Sequence, residues 1–176
     1  MRIEIKENGG KAFCRETVNI VSQYRALLKK PARRLHDNFK ELWGCMIGCA
    51  VLIVPLGALC AAKGANTVRV AAIILLAADV LICAAILVNM NRMLRTLLDD
   101  RRTTVLTVDE HGVELDKDGA QTVRVGWENI VFARVFAQTV GLFTKESCGM
   151  AIIVSRSYEG ELMEGLKQYG GSVPIR

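Results

Sequence analysis

The side chain with the strongest claim to chemistry is Asp79, near the middle of an apolar run, between Leu75-Leu76-Ala77-Ala78 and Val80-Leu81-Ile82. A carboxylate at the centre of a membrane helix costs about 2.5 to 3.5 kcal/mol on insertion scales. Such a residue seldom faces lipid and is a functional candidate by default. The preceding apolar run, Leu42 to Ala62, holds no Lys, Arg or His to pair with it. Hydrogen bonding remains. One acceptor is the main-chain carbonyl of Val51, which Pro55 deprives of its usual donor; the other is the twin Asp79 of a second copy. One acid in one pair of helices makes no ion pathway, so a structural or oligomerising role is expected ahead of ion or proton translocation.

Elsewhere the parts of known active sites are missing. His36 and His111 are far apart with no partner spacing, which reads as ordinary surface histidine. Ser147-Cys148-Gly149 and Ser155 come without a His/Asp constellation or a nucleophile elbow. Gly9-Gly10 precede a helix pattern, but no phosphate-binding glycine loop of Walker or dinucleotide type follows. Of the six cysteines, Cys45, Cys49, Cys60 and Cys83 lie in the apolar runs, while Cys14 and Cys148 stand alone. With no CxxC pair and no Cys/His cluster, neither a disulfide framework nor a zinc site has its ligands, and the cysteines read as small apolar filler. No enzyme, cofactor or metal is expected.

The elements around Asp79 are two apolar runs, Leu42 to Ala62 and Val70 to Met90. At about 21 residues and about 1.5 Å of rise per residue, each matches the roughly 30 Å hydrocarbon core of a bilayer. The short connection Lys63 to Arg69 leaves no room for a domain, so the runs form an antiparallel transmembrane hairpin. Net charge +5 resolves unevenly: residues 1 to 41 carry ten Lys/Arg against five Asp/Glu, and residues 92 to 176 carry eleven against twelve. Lys29, Lys30, Arg33, Arg34 and Lys40 precede the hairpin and Arg92, Arg95, Arg101 and Arg102 follow it, whereas the connection offers only Lys63 and Arg69. By the positive-inside rule both ends are cytoplasmic. The same clusters are assigned to topology and anionic-lipid contact rather than to nucleic acid. The first residues lack the apolar core of a signal peptide, so the first span is expected to insert uncleaved.

Small residues mark the hairpin. Gly44 and Gly48 form a GxxxG spacing beside Cys45 and Cys49, and Ala71, Ala78 and Ala85 repeat every seven residues. Close helix approach in lipid uses such residues, and packing within the hairpin and self-association explain them equally well.

Outside the hairpin about 120 residues remain, enough for one small domain and a short leading element. Arg2 to Lys6 alternate as a short strand in need of a sheet, closed by Asn8-Gly9-Gly10. Phe13, Thr17, Ile20, Val21, Tyr24, Leu27 and Leu28 fall at helical spacing, with Lys11, Arg15, Glu16, Asn19 and Gln23 on the other face; one amphipathic helix ending near Pro31 is expected. It lies on headgroups or packs on the domain, and its mixed charge, unlike the basic face of an interfacial helix, favours packing. After the second run, Asn91 to Leu98 stays helical. The period then drops to two over Thr103 to Val108, Gly112 to Leu115, Thr122 to Gly126, Ile130 to Ala137, Val140 to Thr144 and Ala151 to Val154. Turn signals at Asp109 to Gly112, Asp116 to Gly119 and Glu146 to Gly149 make these six an antiparallel meander. Leu162, Met163, Leu166 and Tyr169 share one face of a closing C-terminal helix, which Gly170-Gly171 stops.

A hairpin followed by Thr104-Val-Leu-Thr-Val-Asp-Glu-His-Gly-Val-Glu-Leu115, then Val123-Arg-Val-Gly-Trp-Glu-Asn-Ile-Val131, Ala151-Ile-Ile-Val-Ser-Arg156 and a final helix resembles the YcxB-like family of small bacterial membrane proteins. The resemblance covers chiefly Leu42 to Tyr169. It implies a cytoplasmic sheet of pleckstrin-homology (PH) type capped by a helix, and it implies no activity. Its most specific element is Trp127-Glu128-Asn129-Ile130, a short helical turn between strands in the family, where an aromatic ring can bury roughly 200 Å² under a sheet. Trp127 is therefore expected as a domain-core anchor ahead of a ligand contact. The chain departs from the family at Val154-Ser155, where a proline and a basic residue often precede the arginine matching Arg156.

The fold class expected is membrane α+β: residues 1–41 as a cytoplasmic strand and amphipathic helix, 42–90 as a two-helix transmembrane hairpin, and 91–176 as a small antiparallel PH-like sheet with a C-terminal helix. The function expected is non-catalytic. The hairpin holds a domain at the cytoplasmic face of the bacterial inner membrane, where it meets a protein partner, a second copy or lipid headgroups, the last through Arg92, Arg95, Arg101 and Arg102. The alternative makes the hairpin the working part, an oligomeric transport component or sensor built on Asp79 with Gly44, Gly48 and Pro55.

Overall fold

The computed structural model describes residues 1–5, 10–64, 66–100, 102–117, 121–148, 151–171 and 173–176. The turns expected at Asn8-Gly9, at Gly119 and at Gly149, and the headgroup contact expected of Arg101, lie outside the described residues. The chain divides into two compact units, Met1–Leu35 with Leu94–Arg176, and His36–Met93.

In the first unit the leading strand β1 (Arg2–Ile5) pairs antiparallel with β2 (Thr104–Asp109), Ile3 opposite Leu106. The strand too short to stand alone thus finds its sheet across about a hundred residues of chain. A meander continues through β3 (Gly112–Lys117) and β4 (Gln121–Gly126), giving a four-stranded sheet in the order β1-β2-β3-β4. The β2–β3 turn is closed by the Asp109 carboxylate, which accepts from the main-chain N–H groups of His111 (2.8 Å) and Gly112 (3.1 Å).

The strands then depart from the single sheet expected. A 3₁₀ turn at Trp127–Asn129 breaks the ladder, and β5 (Ile130–Val135), β6 (Thr139–Thr144) and β7 (Ala151–Ser155) form a second, three-stranded antiparallel sheet. Every residue of β6 is buried, which requires cover on both faces. Val140 and Leu142 join Ile3, Leu106, Val108, Val113, Ile152 and Val154 in one core, while Phe143 turns the other way, to Phe132 and Phe136. The C-terminal helix α5 (Glu159–Tyr169) closes the first core with Leu162 and Leu166 and packs on β2.

The second face of β5-β6-β7 is covered by the N-terminal segment, through Ile20, Tyr24 and Leu27. That is the packed placement, and it corrects the helix itself: one continuous helix to Pro31 becomes α1 (Gly10–Ser22) and α2 (Tyr24–Lys29), parted at Gln23. The main-chain N–H of Gln23 is shared between the carbonyls of Asn19 (3.1 Å) and Ile20 (3.2 Å), a tightened turn that resets the helical phase. Val21, expected on the apolar face, is consequently 44 % exposed, and Asn19 and Gln23 are buried. The Tyr24 ring stacks on Phe143, centroids 5.9 Å apart, and its hydroxyl donates to the Thr144 carbonyl at 2.6 Å.

The second unit is built from α3 (Asn38–Lys63), which runs through Pro55, and from most of α4 (Thr67–Asp99). Gly64, at φ 78°, follows the last residue of α3, and the Asn66 side chain caps α4 by accepting from Val68 N (2.8 Å) and Arg69 N (3.2 Å). Both helices are long and apolar enough to cross a membrane. Only 6 % and 11 % of their most apolar stretches are buried by the rest of the chain, unlike the core helices of a globular domain.

Candidate functional site

Asp79 stands on the exposed surface of α4 and makes no hydrogen bond or ion pair among the described residues, the Val51 carbonyl included. A four-residue step along α4 brings Cys83 to the same face, and the same step joins Cys45 to Cys49 on α3. On these faces Cys49 and Cys83 are buried, whereas Cys45 and Asp79 are exposed. Among the described residues no group of three or more His, Cys, Asp or Glu side chains has the geometry to hold a metal ion.

Gly44 and Gly48 lie on an exposed face of α3, and a Cβ built on either meets nothing within 4 Å. Contacts within the chain therefore do not require glycine there. Val51 and Pro55 follow at steps of three and four residues on that same face, both exposed.

The cationic residues expected at headgroup depth differ from one another. Arg92 and Arg95 are exposed on α4. Arg102 is tied to Asp100 through Nε at 2.9 Å, and Lys117 adds a second cation to the same carboxylate at 3.6 Å. The Arg102 hydrogen bond is the main reason that the Asp100 carboxyl is held below its ordinary value.

Trp127 projects from the 3₁₀ turn onto the first core and donates from Nε1 to the Asp109 carbonyl at 2.9 Å. The ring thereby ties the turn between the sheets to the β2–β3 turn. His111, in that β2–β3 turn, and His36, 2.7 Å from Glu41 Oε1, are exposed surface residues as their isolation implied.

Two polar anchors escaped the sequence reading. Glu16 of α1 accepts from Ala137 N (3.2 Å), Gln138 N (2.7 Å) and Thr139 Oγ1 (2.9 Å), so one carboxylate holds the β5–β6 turn. Arg134 of β5 donates from Nη1 to the carbonyls of Pro31 and Arg33 (2.7 Å), its guanidinium lying 4.8 Å from the centre of the Phe136 ring. Burial pulls Arg134 below the usual guanidinium value, and an arginine stays charged nonetheless. Both anchors join residues over a hundred positions apart, which no local pattern announces.

Comparison with family models, curated proteins and solved structures finds no match to this chain.

Proposed function

We propose that this chain is a non-catalytic integral protein of the bacterial cytoplasmic membrane, of the YcxB-like kind. In this reading α3 and α4 cross the bilayer as a hairpin with both chain ends in the cytoplasm. The two-sheet unit is a PH-like module held at the membrane face, where it binds a protein partner or lipid headgroups, with Arg92, Arg95, Arg101 and Arg102 at the depth for anionic lipid. The observation that carries the reading is a pair of apolar helices of 26 and 33 residues left almost wholly uncovered by the chain. A four-stranded and a three-stranded antiparallel sheet with a closing C-terminal helix support the PH-like part.

The test combines alkaline extraction with sided thiol labelling, in a background whose six cysteines are replaced. Expected are retention in the membrane pellet, labelling of Asn66→Cys by an impermeant reagent from outside the cell, and labelling of Gly171→Cys only after lysis. Extraction into the supernatant removes the anchor, and reversed labelling removes the orientation.

A second reading rests on Asp79, an acid on the exposed face of an apolar helix with no hydrogen bond among the described residues. Here copies of the hairpin associate into a transport component or sensor. Asp79→Asn keeps shape and hydrogen bonding but abolishes charge change. Unaltered assembly with lost ion flux in proteoliposomes supports this reading; unchanged flux, or none in the parent chain, ends it.

A further inference from the structure

Between Tyr24 and Leu35 the chain reads Tyr-Arg-Ala-Leu-Leu-Lys-Lys-Pro-Ala-Arg-Arg-Leu, five basic residues and no acidic one. The backbone of this stretch is fixed from inside. Leu27 is fully buried, and the Tyr24 hydroxyl is bonded to Thr144. Lys30 N donates to Ala26 O (3.1 Å) and Arg33 N to Lys30 O (2.9 Å). Arg134 then draws the carbonyls of Pro31 and Arg33 inward. Those two carbonyl dipoles would repel an anion, and the Arg134 guanidinium occupies them.

What remains outward is positive. Lys29, Lys30, Arg33 and Arg34 are exposed, and among the described residues none forms an ion pair. Some cations of the same unit are matched, Arg25 with Glu146, Arg124 with Asp109 and Glu114, and Arg156 with Glu159; Lys11, Lys145 and Lys167 are exposed without an ion pair among the described residues, but only Lys29 to Arg34 put four such charges within six residues. Four unmatched charges on a pre-ordered backbone are a binding surface for phosphate groups, because the backbone part of the ordering cost is already met and guanidinium and ammonium both bind phosphate oxygens.

We propose that the Lys29–Arg34 turn, clamped by Arg134, is an anionic-phospholipid headgroup site. The inference rests on reading α3 as a membrane span. Asn38, the first residue of α3, follows Arg34 by four residues, a reach of at most about 14 Å. With α3 inserted, chain connectivity alone keeps Arg34 within that reach of the headgroup layer, where anionic lipid is the most concentrated phosphate available.

The test is titration of the full-length chain, in neutral detergent micelles, with phosphatidylglycerol or phosphatidylcholine, read by native mass spectrometry. Micelles have no sidedness, so altered insertion cannot mimic the result. Phosphatidylglycerol is expected to bind preferentially. Joint replacement Lys29→Gln, Lys30→Gln, Arg33→Gln and Arg34→Gln is expected to weaken it at least about tenfold, while Arg156→Gln, at a matched cation, leaves it unchanged. Arg134→Lys, which keeps charge but loses the two-carbonyl fork, is expected to weaken binding and speed amide exchange over 30–34. Equal binding of both lipids, or full binding by the four-Gln variant, overturns the site. Displacement by millimolar inorganic phosphate or by RNA also overturns the headgroup assignment. Failure of the chain to enter lipid nanodiscs overturns the membrane reading itself and this site with it; entry without lipid preference removes the site alone.

Discussion

A side-chain carbon on Gly170 would stand 2.9 Å from Cζ3 of the Trp127 ring, so the last turn of the chain is cut to fit the aromatic that links the two sheets. The same carbon would also reach the Leu166 carbonyl at 2.9 Å, and Gly170 N is bonded to that oxygen. Gly170→Ala is therefore expected to lower stability by about 1 to 3 kcal/mol, seen as a drop in thermal midpoint of the purified chain. Trp127→Phe keeps most of the ring and loses the donor to Asp109 O, for about 1 kcal/mol. A Gly170→Ala midpoint equal to the parent would show that the ring moves freely.

Gly112 has φ 149°, and a Cβ there would lie 2.1 Å from the Val125 carbonyl of the neighbouring strand. Main chain cannot yield as a flexible side chain does. Gly112→Ala is expected to cost about 3 kcal/mol or more and to disturb the β3–β4 ladder, with faster amide exchange along β4 as the local reading.

Glu16 carries the β5–β6 turn through three hydrogen bonds to one carboxylate. Glu16→Gln keeps one acceptor oxygen and removes the charge, for an expected loss of about 1.5 kcal/mol. Amide exchange should quicken first at Ala137 and Gln138. Unchanged protection there would mean that the turn holds itself.

Acid should weaken the domain through Asp100 and Asp109. Both carboxyls are held below their ordinary value of 3.8, Asp100 chiefly by the Arg102 side chain and Asp109 chiefly by the main-chain N–H of His111. A carboxyl depressed in the folded state contributes stability above the unfolded value, and that contribution fades as pH falls through the folded value. Thermal midpoints between about pH 5 and pH 2 should fall, and the joint variant Asp100→Asn, Asp109→Asn should fall less steeply over that window. Parallel curves would place the acid response on other groups.

Much of the architecture is local and so was legible. Each of the six strand patterns after Arg101 became a strand within about two residues at its ends, because alternation and the turn residues act over neighbouring positions. The two apolar runs became two long helices for the same reason, and Gly64 and Asn66 punctuate their connection. Helix α5 began and ended almost where its apolar face and Gly170 placed it.

Tertiary structure alone decided what the patterns are for. Period two puts Val140 and Phe143 on opposite faces of β6 but does not say that both faces are covered; the split into two sheets and the arrival of Ile20, Tyr24 and Leu27 do. Helical spacing continues through Gln23, yet the phase resets there because Tyr24 must meet Phe143 and Thr144, partners some 120 residues away. Glu16 and Arg134 are anchors only because main chain over a hundred positions away lies within hydrogen-bond reach. Sequence by itself determined which segments form helix, strand and apolar span, since those choices rest on periodicity and local sterics. Which faces meet, which charges are matched and which are left outward were settled by contacts between segments far apart in the chain, where no local term acts.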